Sequence, residues 1–205
     1  MNENSKRDEK LHVEAQKLRK LAEAGAAEAQ WNLGLMYRHG QGLAEDEAEA
    51  VKWFRKAAEQ GMVYAQYYLG RIYEDGPTEE DAVQAVKWFR KAAEQRHPVA
   101  QYHLGLACAE GRGVPKDKAE AVKWFRKAAE QGIGYAQCCL GVMYASGKGI
   151  QQNLVEAHAW LEIAAINGTE QARKRLAKLE SEMDLMDRVA ATKRARELFD
   201  QLKRR

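Results

Sequence analysis

The sequence has few of the residues that build disulfide-bonded or membrane-spanning proteins. Among its 205 residues there are three prolines and only three cysteines, Cys108, Cys138 and Cys139. So sparse a set, odd in number, excludes a disulfide-stapled scaffold. We expect free thiols inside helices, with a bond from Cys108 to either of the other two as the alternative. No apolar run approaches the roughly 18 residues of a membrane helix, so we expect no integral membrane segment.

A large excess of charge is also missing. The formal net charge is +3, which is too small to direct the whole chain to nucleic acid or to a membrane surface. Residues 1–10 are polar and lack the apolar core of a secretory signal. We therefore expect a cytoplasmic location, or a periplasmic or secreted one if a leader has been removed. We also expect a monomer that binds no nucleic acid.

Motifs of catalysis and metal binding are absent as well. The sequence contains no His-Glu-x-x-His, no P-loop, no Cys-x-x-Cys and no Gly-x-Ser-x-Gly. Its five histidines lack the i, i+4 pairing of metal ligands on a helix. They are His12, His39, His97, His103 and His158. These absences predict a protein that is not an enzyme and that has no catalytic residues, metal or cofactor.

What the sequence does have is a repeat. The eleven residues Ala-Val-Lys-Trp-Phe-Arg-Lys-Ala-Ala-Glu-Gln occur unchanged at 50–60, 85–95 and 121–131, and a looser fourth copy follows. The tryptophans of the four copies are spaced by 35, 36 and 36 residues, and they are Trp53, Trp88, Trp124 and Trp160. A period of this length indicates stacked units that each bury one face against the next.

Each repeat contains two apolar patterns that are typical of amphipathic helices. The first has spacing i, i+4 and i+8, as at Ala29, Leu33 and Tyr37, which places these residues on one helix face. The second has spacing i, i+3 and i+7 around each tryptophan. No stretch alternates with period two, so we predict no strand. The predicted core contains the four tryptophans and one leucine from each repeat, namely Leu33, Leu69, Leu104 and Leu140.

The repeat predicts a single continuous domain over residues 1–205. Four repeats are preceded by a capping helix and followed by a degenerate repeat with a second capping helix, and these caps are expected to cover the open ends of the stack. The predicted ranges are 8–25 for the N-terminal capping helix, 26–61, 62–96, 97–132 and 133–168 for repeats one to four, and 169–205 for the degenerate repeat and C-terminal capping helix.

The residues of the second repeat resemble a known pattern. They are Ala65-Gln66-Tyr67-Tyr68-Leu69-Gly70-x-x-Tyr73, a glycine turn, and Ala85-x-x-Trp88-x-x-x-Ala92-Ala93. This pattern is similar to the Sel-one-like repeat, a relative of the tetratricopeptide repeat, and the resemblance spans about Ala26–Gly168. It implies an all-α, right-handed α/α solenoid of antiparallel helix pairs with about eleven helices, whose first helices line the concave side. It further implies an adaptor or scaffold role in protein complexes, which bacterial members have in host interaction, stress signalling or envelope processes.

Two rows of first-helix residues lie off the predicted core face and form the candidate binding site. One row contains Trp31, Tyr67, Tyr102 and Cys138, and the row four residues on contains Leu35, Arg71 and Leu106. An aromatic row on a concave face is typical of surfaces that hold a peptide or a helix. We therefore predict that these residues bind a protein or peptide partner. The alternative interpretation is that the rows pack against the second helix of the adjacent repeat.

Two other classes of function stay open at this point. One is a small-molecule-binding protein or a hydrolase of β-lactam-like type, with a site assembled from scattered side chains. The other is a basic membrane-surface or nucleic-acid-associated factor that uses the C-terminal helix. The last 35 residues favour it weakly, because 171–205 contain eleven Lys and Arg against six Asp and Glu.

Overall fold

The computed structural model describes the backbone of residues 3–204 and the side chains of residues 9–204, and in that part of the chain it contains eleven helices and no strand. The helices are α1 (Glu3–Glu23), α2 (Ala27–His39), α3 (Glu47–Glu59), α4 (Val63–Glu74), α5 (Glu79–Glu94), α6 (Pro98–Glu110), α7 (Lys118–Glu130), α8 (Gly134–Ser146), α9 (Leu154–Ile166), α10 (Glu170–Glu182) and α11 (Leu185–Lys203). The predicted all-α fold of repeated helix pairs is confirmed.

The chain divides into two compact parts, an N-terminal part of residues 1–95 and a C-terminal part of residues 96–205. In the N-terminal part α2 packs on α3 and α4 packs on α5, while α1 and α3 also contact the first helix of the pair that follows. In the C-terminal part α6 packs on α7 and α8 packs on α9, while α7 contacts α8 and α9 contacts α10. Each pair of helices corresponds to one repeat of the sequence.

Local signals between the helices set where each helix begins and ends. Asp46 precedes α3 and its carboxylate accepts a hydrogen bond from the backbone N–H of Glu49 at 2.9 Å. Asp117 and Asn153 make the same cap before α7 and α9. Such a cap satisfies a backbone donor that the first turn leaves unpaired, and it contributes about 1 kcal/mol. At the other end α2 stops at Gly40, whose φ of 61° is left-handed.

A glycine in each first helix lets the second helix of the pair approach closely. A Cβ atom on Gly70 would lie 2.5 Å from Cδ1 of Phe89, because the phenyl ring already fills that space. The ring is only 2% exposed and is held by the core around it. The same contact recurs in the other pairs, as Gly34 with Phe54, Gly105 with Phe125 and Gly141 with Leu161. No side chain larger than hydrogen fits at these positions without displacing a core residue.

The four repeat tryptophans are buried, and a lysine side chain lies over each of the first three. Their exposed fractions are 7%, 6%, 6% and 4% in chain order, and the four predicted core leucines are fully buried. Nζ of Lys56 lies 4.0 Å from the ring centroid of Trp53, and Lys91 and Lys127 cover Trp88 and Trp124 in the same way. An ammonium group over an indole ring is attractive by about 0.5–1 kcal/mol at an exposed site. The lysine stems thus complete the core from outside.

Within each of the two parts, buried glutamines of the first helices form hydrogen bonds to neighbouring helices, and Gln137 shows the arrangement. This residue is 1% exposed, and its Nε2 donates to the carbonyl of Ala129 near the end of α7 at 3.0 Å. Its Oε1 accepts from Nδ2 of Asn167, which follows α9, at 3.0 Å. Corresponding bonds from the residue that follows each second helix join Gln60 to Gln30, Gln95 to Gln66 and Gln131 to Gln101. The sequence pattern alone did not predict this role of the glutamines.

An arginine and a tyrosine eighteen residues apart form a second recurring contact between repeats. Nη2 of Arg126 in α7 donates to the hydroxyl of Tyr144 in α8 at 2.7 Å. Arg55 makes the same bond to Tyr73, and Arg19 makes it to Tyr37. Because Arg19 belongs to α1, that helix takes the place of a second helix before the first repeat.

The C-terminal helix lies against α9, whose outer face is apolar. Where α7 has two exposed lysines, α9 has Ala159 and Ile163, which are 0% and 2% exposed. Helix α11 packs extensively on α9, and Nε of Arg194 forms an ion pair of 2.5 Å with Glu156. The sequence predicts that this helix covers the open end of the stack, and that statement stays a prediction. In the structure the helix buries the apolar side of α9, which lacks the two lysines found at the same positions in the other three repeats.

The glutamine junction leads to a stability prediction. We expect Gln137→Ala to lower the free energy of unfolding by about 2–3 kcal/mol, because the carbonyl of Ala129 and the amide of Asn167 lose a buried partner and a cavity is left. Urea unfolding followed by circular dichroism measures the loss. Gln171→Ala on the exposed side of α10 is the matched control, and a change within about 0.5 kcal/mol is expected for it. Equal midpoints for the two variants would contradict the proposed role.

The packing of α11 leads to a second prediction, with a control in the same helix. Ile163→Lys places a charge under α11, so we expect a loss of about 3 kcal/mol or more and faster amide hydrogen exchange along α11. Ile166→Lys makes the same chemical change at a residue that is 62% exposed, and we expect it to leave both measurements nearly unchanged. Slow exchange in α11 of the Ile163→Lys protein would show that the helix does not depend on this contact.

Candidate functional site

The first helices of the N-terminal part carry a half-buried aromatic cluster. Trp31 of α2 and Tyr68 of α4 both contact Phe54 of α3, with ring centroids 4.9 and 4.7 Å from it and 5.6 Å from each other. In the next repeat Tyr67 lies 6.1 Å from Phe89 of α5. These distances are in the range of favourable aromatic pairs. Trp31 and Tyr67, two predicted site residues, therefore rest on the same rings that close the helix pairs.

Two arginines lie at this cluster. The guanidinium of Arg38 is 4.6 Å from the ring centroid of Tyr68, close enough for a cation–π contact. Arg71, a predicted site residue, forms an ion pair of 3.0 Å between its Nε and Glu74. A hydrogen bond to Tyr67 and the negative charge of Glu74 raise the pKa of Arg71. The cluster therefore combines apolar ring faces with fixed positive charge.

The C-terminal part carries a second aromatic cluster on α6 and α8. The ring of Tyr102, another predicted site residue, lies 6.0 Å from Phe125 of α7 and 6.2 Å from Tyr135 of α8. Tyr135 is 58% exposed and so offers most of its ring to a partner. Burial, together with the neighbouring thiol of Cys139, raises the pKa of Tyr102 to about 12. Its phenol is therefore a neutral hydrogen-bonding group at physiological pH.

Cys138 is the predicted site residue that the structure buries, so its assignment to the binding surface is wrong. It is 4% exposed and packs with Leu161 of α9 and Ala172 of α10, because the small thiol fits in the core. The neighbouring Cys139 is half-buried instead, and burial raises the pKa of its thiol to about 11. All three cysteines of the chain are free, including Cys108, so the alternative of a disulfide bond is not realised.

The remaining predicted residues, Leu35 and Leu106, are half-buried. Leu35 packs against the N-terminal core together with Trp31. The aromatic rings of this row contact the second helix of their own repeat, whereas the alternative interpretation placed them against the adjacent one. The row is thus partly structural, because its rings are half-buried and contact the second helices.

The most exposed tyrosines of these surfaces were missed by the sequence analysis. Tyr64 is 64% exposed and Tyr135 is 58% exposed. Each stands immediately before the Ala-Gln pair that opens the first helix of its repeat. Because residues four apart share a helix face, Tyr64 lies beside Tyr68, and Tyr135 beside Cys139. An aromatic residue at this position was the available signal.

A buried histidine replaces the arginine–tyrosine contact at the last repeat junction. Glu162 and Glu180 stand 36 residues after Arg126 and Tyr144, and His158 lies between them. Its Nε2 is 2.9 Å from Glu180 and its Nδ1 is 3.5 Å from Glu162. Within the described residues no group of three or more His, Cys, Asp or Glu side chains is arranged to hold a metal ion. None of the described helices is both long and apolar enough to span a membrane.

Four consecutive stretches of the chain match the Sel1 repeat, at residues 27–62, 63–97, 98–133 and 134–169. No curated protein sequence matches the chain. Among solved structures, a protective antigen of uropathogenic Escherichia coli with an SLR fold is 36% identical with a TM-score of 0.81, over 91% of this chain and 40% of that one. A Sel1 repeat protein from Oxalobacter formigenes is 39% identical with a TM-score of 0.68, over 80% of this chain and 66% of that one.

The Helicobacter pylori cysteine rich protein B is similar in fold alone, with 23% identity and a TM-score of 0.51 over 64% of this chain and 96% of that one. The chain therefore spans 40% and 66% of the lengths of its two more similar structural relatives. The matched stretches cover most of the sequence and coincide with the observed helix pairs α2/α3, α4/α5, α6/α7 and α8/α9. On these grounds the chain belongs to the Sel1 repeat family.

Proposed function

We propose that this protein is a non-enzymatic scaffold that binds a polypeptide partner on the aromatic surfaces of its first helices. Sel1 repeat proteins are generally protein-interaction scaffolds and are typically non-catalytic. The repeat fold suits this role, because each helix pair adds a similar surface whose side chains differ from one repeat to the next. The aromatic side chains of the first helices indicate which surface a partner would use.

One observation carries the proposal: exposed tyrosines sit on a fixed aromatic base in both parts of the chain. Tyr135 contacts Tyr102, which is in turn held by Phe125. Tyr64 lies on the same helix face as Tyr68, which contacts Phe54. A ring that is already ordered loses little conformational entropy when a partner covers it. Aromatic residues of this kind are the ones most often found as anchors in protein interfaces.

The N-terminal surface includes four of the seven predicted residues, namely Trp31, Leu35, Tyr67 and Arg71. Trp31 and Tyr67 are half-buried there, and Arg71 and Arg38 supply hydrogen-bond donors beside them. An aromatic centre with a polar rim is the usual arrangement of a protein-binding surface. In the C-terminal part Tyr102 and Leu106 lie four residues apart on α6, as Tyr67 and Arg71 do on α4. We propose that each surface contacts its own section of a partner.

The most exposed tyrosines give the cleanest test. Once a partner is identified by crosslinking from a photoreactive residue placed at position 64 or 135, we expect Tyr64→Ala and Tyr135→Ala each to weaken its binding about tenfold or more. Titration calorimetry measures the change. Because both side chains are more than half exposed, the helical circular dichroism of the variants should match that of the parent.

The matched control is Lys87→Ala, an exposed residue on the outer side of α5. It should leave the affinity within about twofold. Trp31→Ala and Tyr67→Ala extend the test to the half-buried row, with the unfolding midpoint measured alongside because these rings also support the core. Loss of binding in Lys87→Ala together with intact binding in both tyrosine variants would move the site to the opposite face.

A further inference from the structure

The rows of first-helix positions, one of which includes the buried Cys138, change from aromatic and apolar to basic residues at the C-terminal end of the chain. In the C-terminal part each row runs from α6 through α8 to α10 at intervals of 36 residues. Two of the rows end in adjacent basic residues, Lys174 and Arg175, and the third ends in Lys178. The three rows are Tyr102, Cys138 and Lys174; His103, Cys139 and Arg175; and Leu106, Val142 and Lys178. The surface is therefore aromatic and apolar on α6 and α8 and basic on α10.

The packing of α10 against α8 brings the basic and aromatic groups together. Ala172 and Leu179 of α10 are buried in one cluster with Cys138 of α8. Arg175 lies three residues after the first and four before the second, and its side chain is exposed. Its charge acts on the thiol of the adjacent Cys139, where it opposes the effect of burial on the pKa of that thiol. That thiol in turn adjoins Tyr102.

Two of the basic groups on α10 form no ion pair with any carboxylate among the described residues. Arg173 pairs with Glu170 at 3.3 Å, and Lys178 lies 4.0 Å from Glu182. In the described part of the chain neither Lys174 nor Arg175 forms an ion pair. Unpaired positive charge beside a partly buried aromatic surface favours a partner that carries negative charge.

One carboxylate of this chain limits where that negative charge can lie. Glu110, the last residue of α6, is close enough to affect both Tyr102 and Cys139. An acidic group of a partner is therefore repelled from the α6 side and attracted to the α10 side. This asymmetry sets an orientation for the bound segment, with its apolar side chains towards the tyrosines.

We propose that the α6–α8–α10 surface binds an acidic segment of a partner protein, with an apolar side chain of that segment on Tyr102 and Tyr135 and its carboxylates at Lys174 and Arg175. The inference rests on the proposed function and names the chemistry of the partner. Direct pairing of exposed charges contributes little to binding free energy. The carboxylates therefore determine the specificity for the partner, and contact with the aromatic rings provides most of the affinity. A single-stranded nucleic acid also combines negative charge with stacking groups, and it is the competing ligand of the test.

The test uses the full chain and fluorescein-labelled peptide pools read by fluorescence anisotropy. One pool contains Asp and Glu among Leu and Phe, a second replaces the acidic residues by Lys and Arg, and a third replaces them by Gln and Ser. A labelled oligothymidylate is the nucleic-acid probe. We expect the acidic pool to bind at least about tenfold more tightly than the other two pools, with an affinity that falls as salt is raised.

Charge reversal then locates the contact. Lys174→Glu with Arg175→Glu should weaken binding of the acidic pool about tenfold or more, whereas the control pair Lys193→Glu with Arg196→Glu makes the same charge change on exposed positions of α11 and should retain most of the affinity. Tyr135→Ser should weaken binding of the acidic pool without altering its preference over the neutral pool. Helical circular dichroism confirms that each variant is folded.

The possible outcomes separate this inference from the proposed function. Tighter binding of the neutral or basic pool, with loss in Tyr135→Ser, would overturn the acidic partner and leave polypeptide binding in place. If the two charge-reversal pairs lost equal affinity for the acidic pool, the attraction would be non-specific, and the proposed position of the site at Lys174 and Arg175 would be wrong. Tighter binding of oligothymidylate than of any peptide pool would replace the protein partner by a nucleic acid. No binding of any probe at millimolar concentration would count against both statements.

Discussion

The contact between a glycine of each first helix and a large apolar side chain of the second is the constraint on which the rest of this structure depends. Because Gly70 has no side chain, the ring of Phe89 packs directly against the backbone of α4, and the two helices come close together. The same ring supports Tyr67 on the open side. The packing that closes a repeat therefore also fixes the aromatic surface, and changes at the glycine are expected to reach the binding face through the ring.

Apolar packing alone does not define how one repeat sits on the next, since it has little directional preference. Two polar contacts supply direction. The side-chain amide of Gln137 donates to a carbonyl of α7 and accepts from Asn167 directly after α9, and Arg126 of α7 donates to Tyr144 of α8. Buried polar groups of this kind are costly unless fully paired, so they allow one relative position of the helices and disfavour others. The fourth repeat replaces the arginine–tyrosine pair with a histidine between two glutamates, and this change coincides with the end of the array.

The candidate site illustrates how far sequence reasoning carries for a repeat protein. The register predicted which first-helix positions lie off the core, and Trp31, Tyr67 and Tyr102 are half-buried there. The register did not distinguish Cys138 from the aromatic residues of its row, because position on a helix does not tell how closely the next helix covers it. Tyr64 and Tyr135 escaped notice for the opposite reason: they lie at a position where the other repeats have no aromatic residue, so no pattern drew attention to them.

The sequence by itself determined the fold class, the helix pairs and the core, because a 36-residue period with apolar residues at helical spacing has few other ways to bury them. It also contained the change from aromatic to basic residues along the rows that end at Lys174 and Arg175. Only the tertiary structure decided where α11 lies, which side chains the glutamines join, and which cysteine is covered. These depend on contacts between residues far apart in the chain, whose geometry a one-dimensional pattern does not specify.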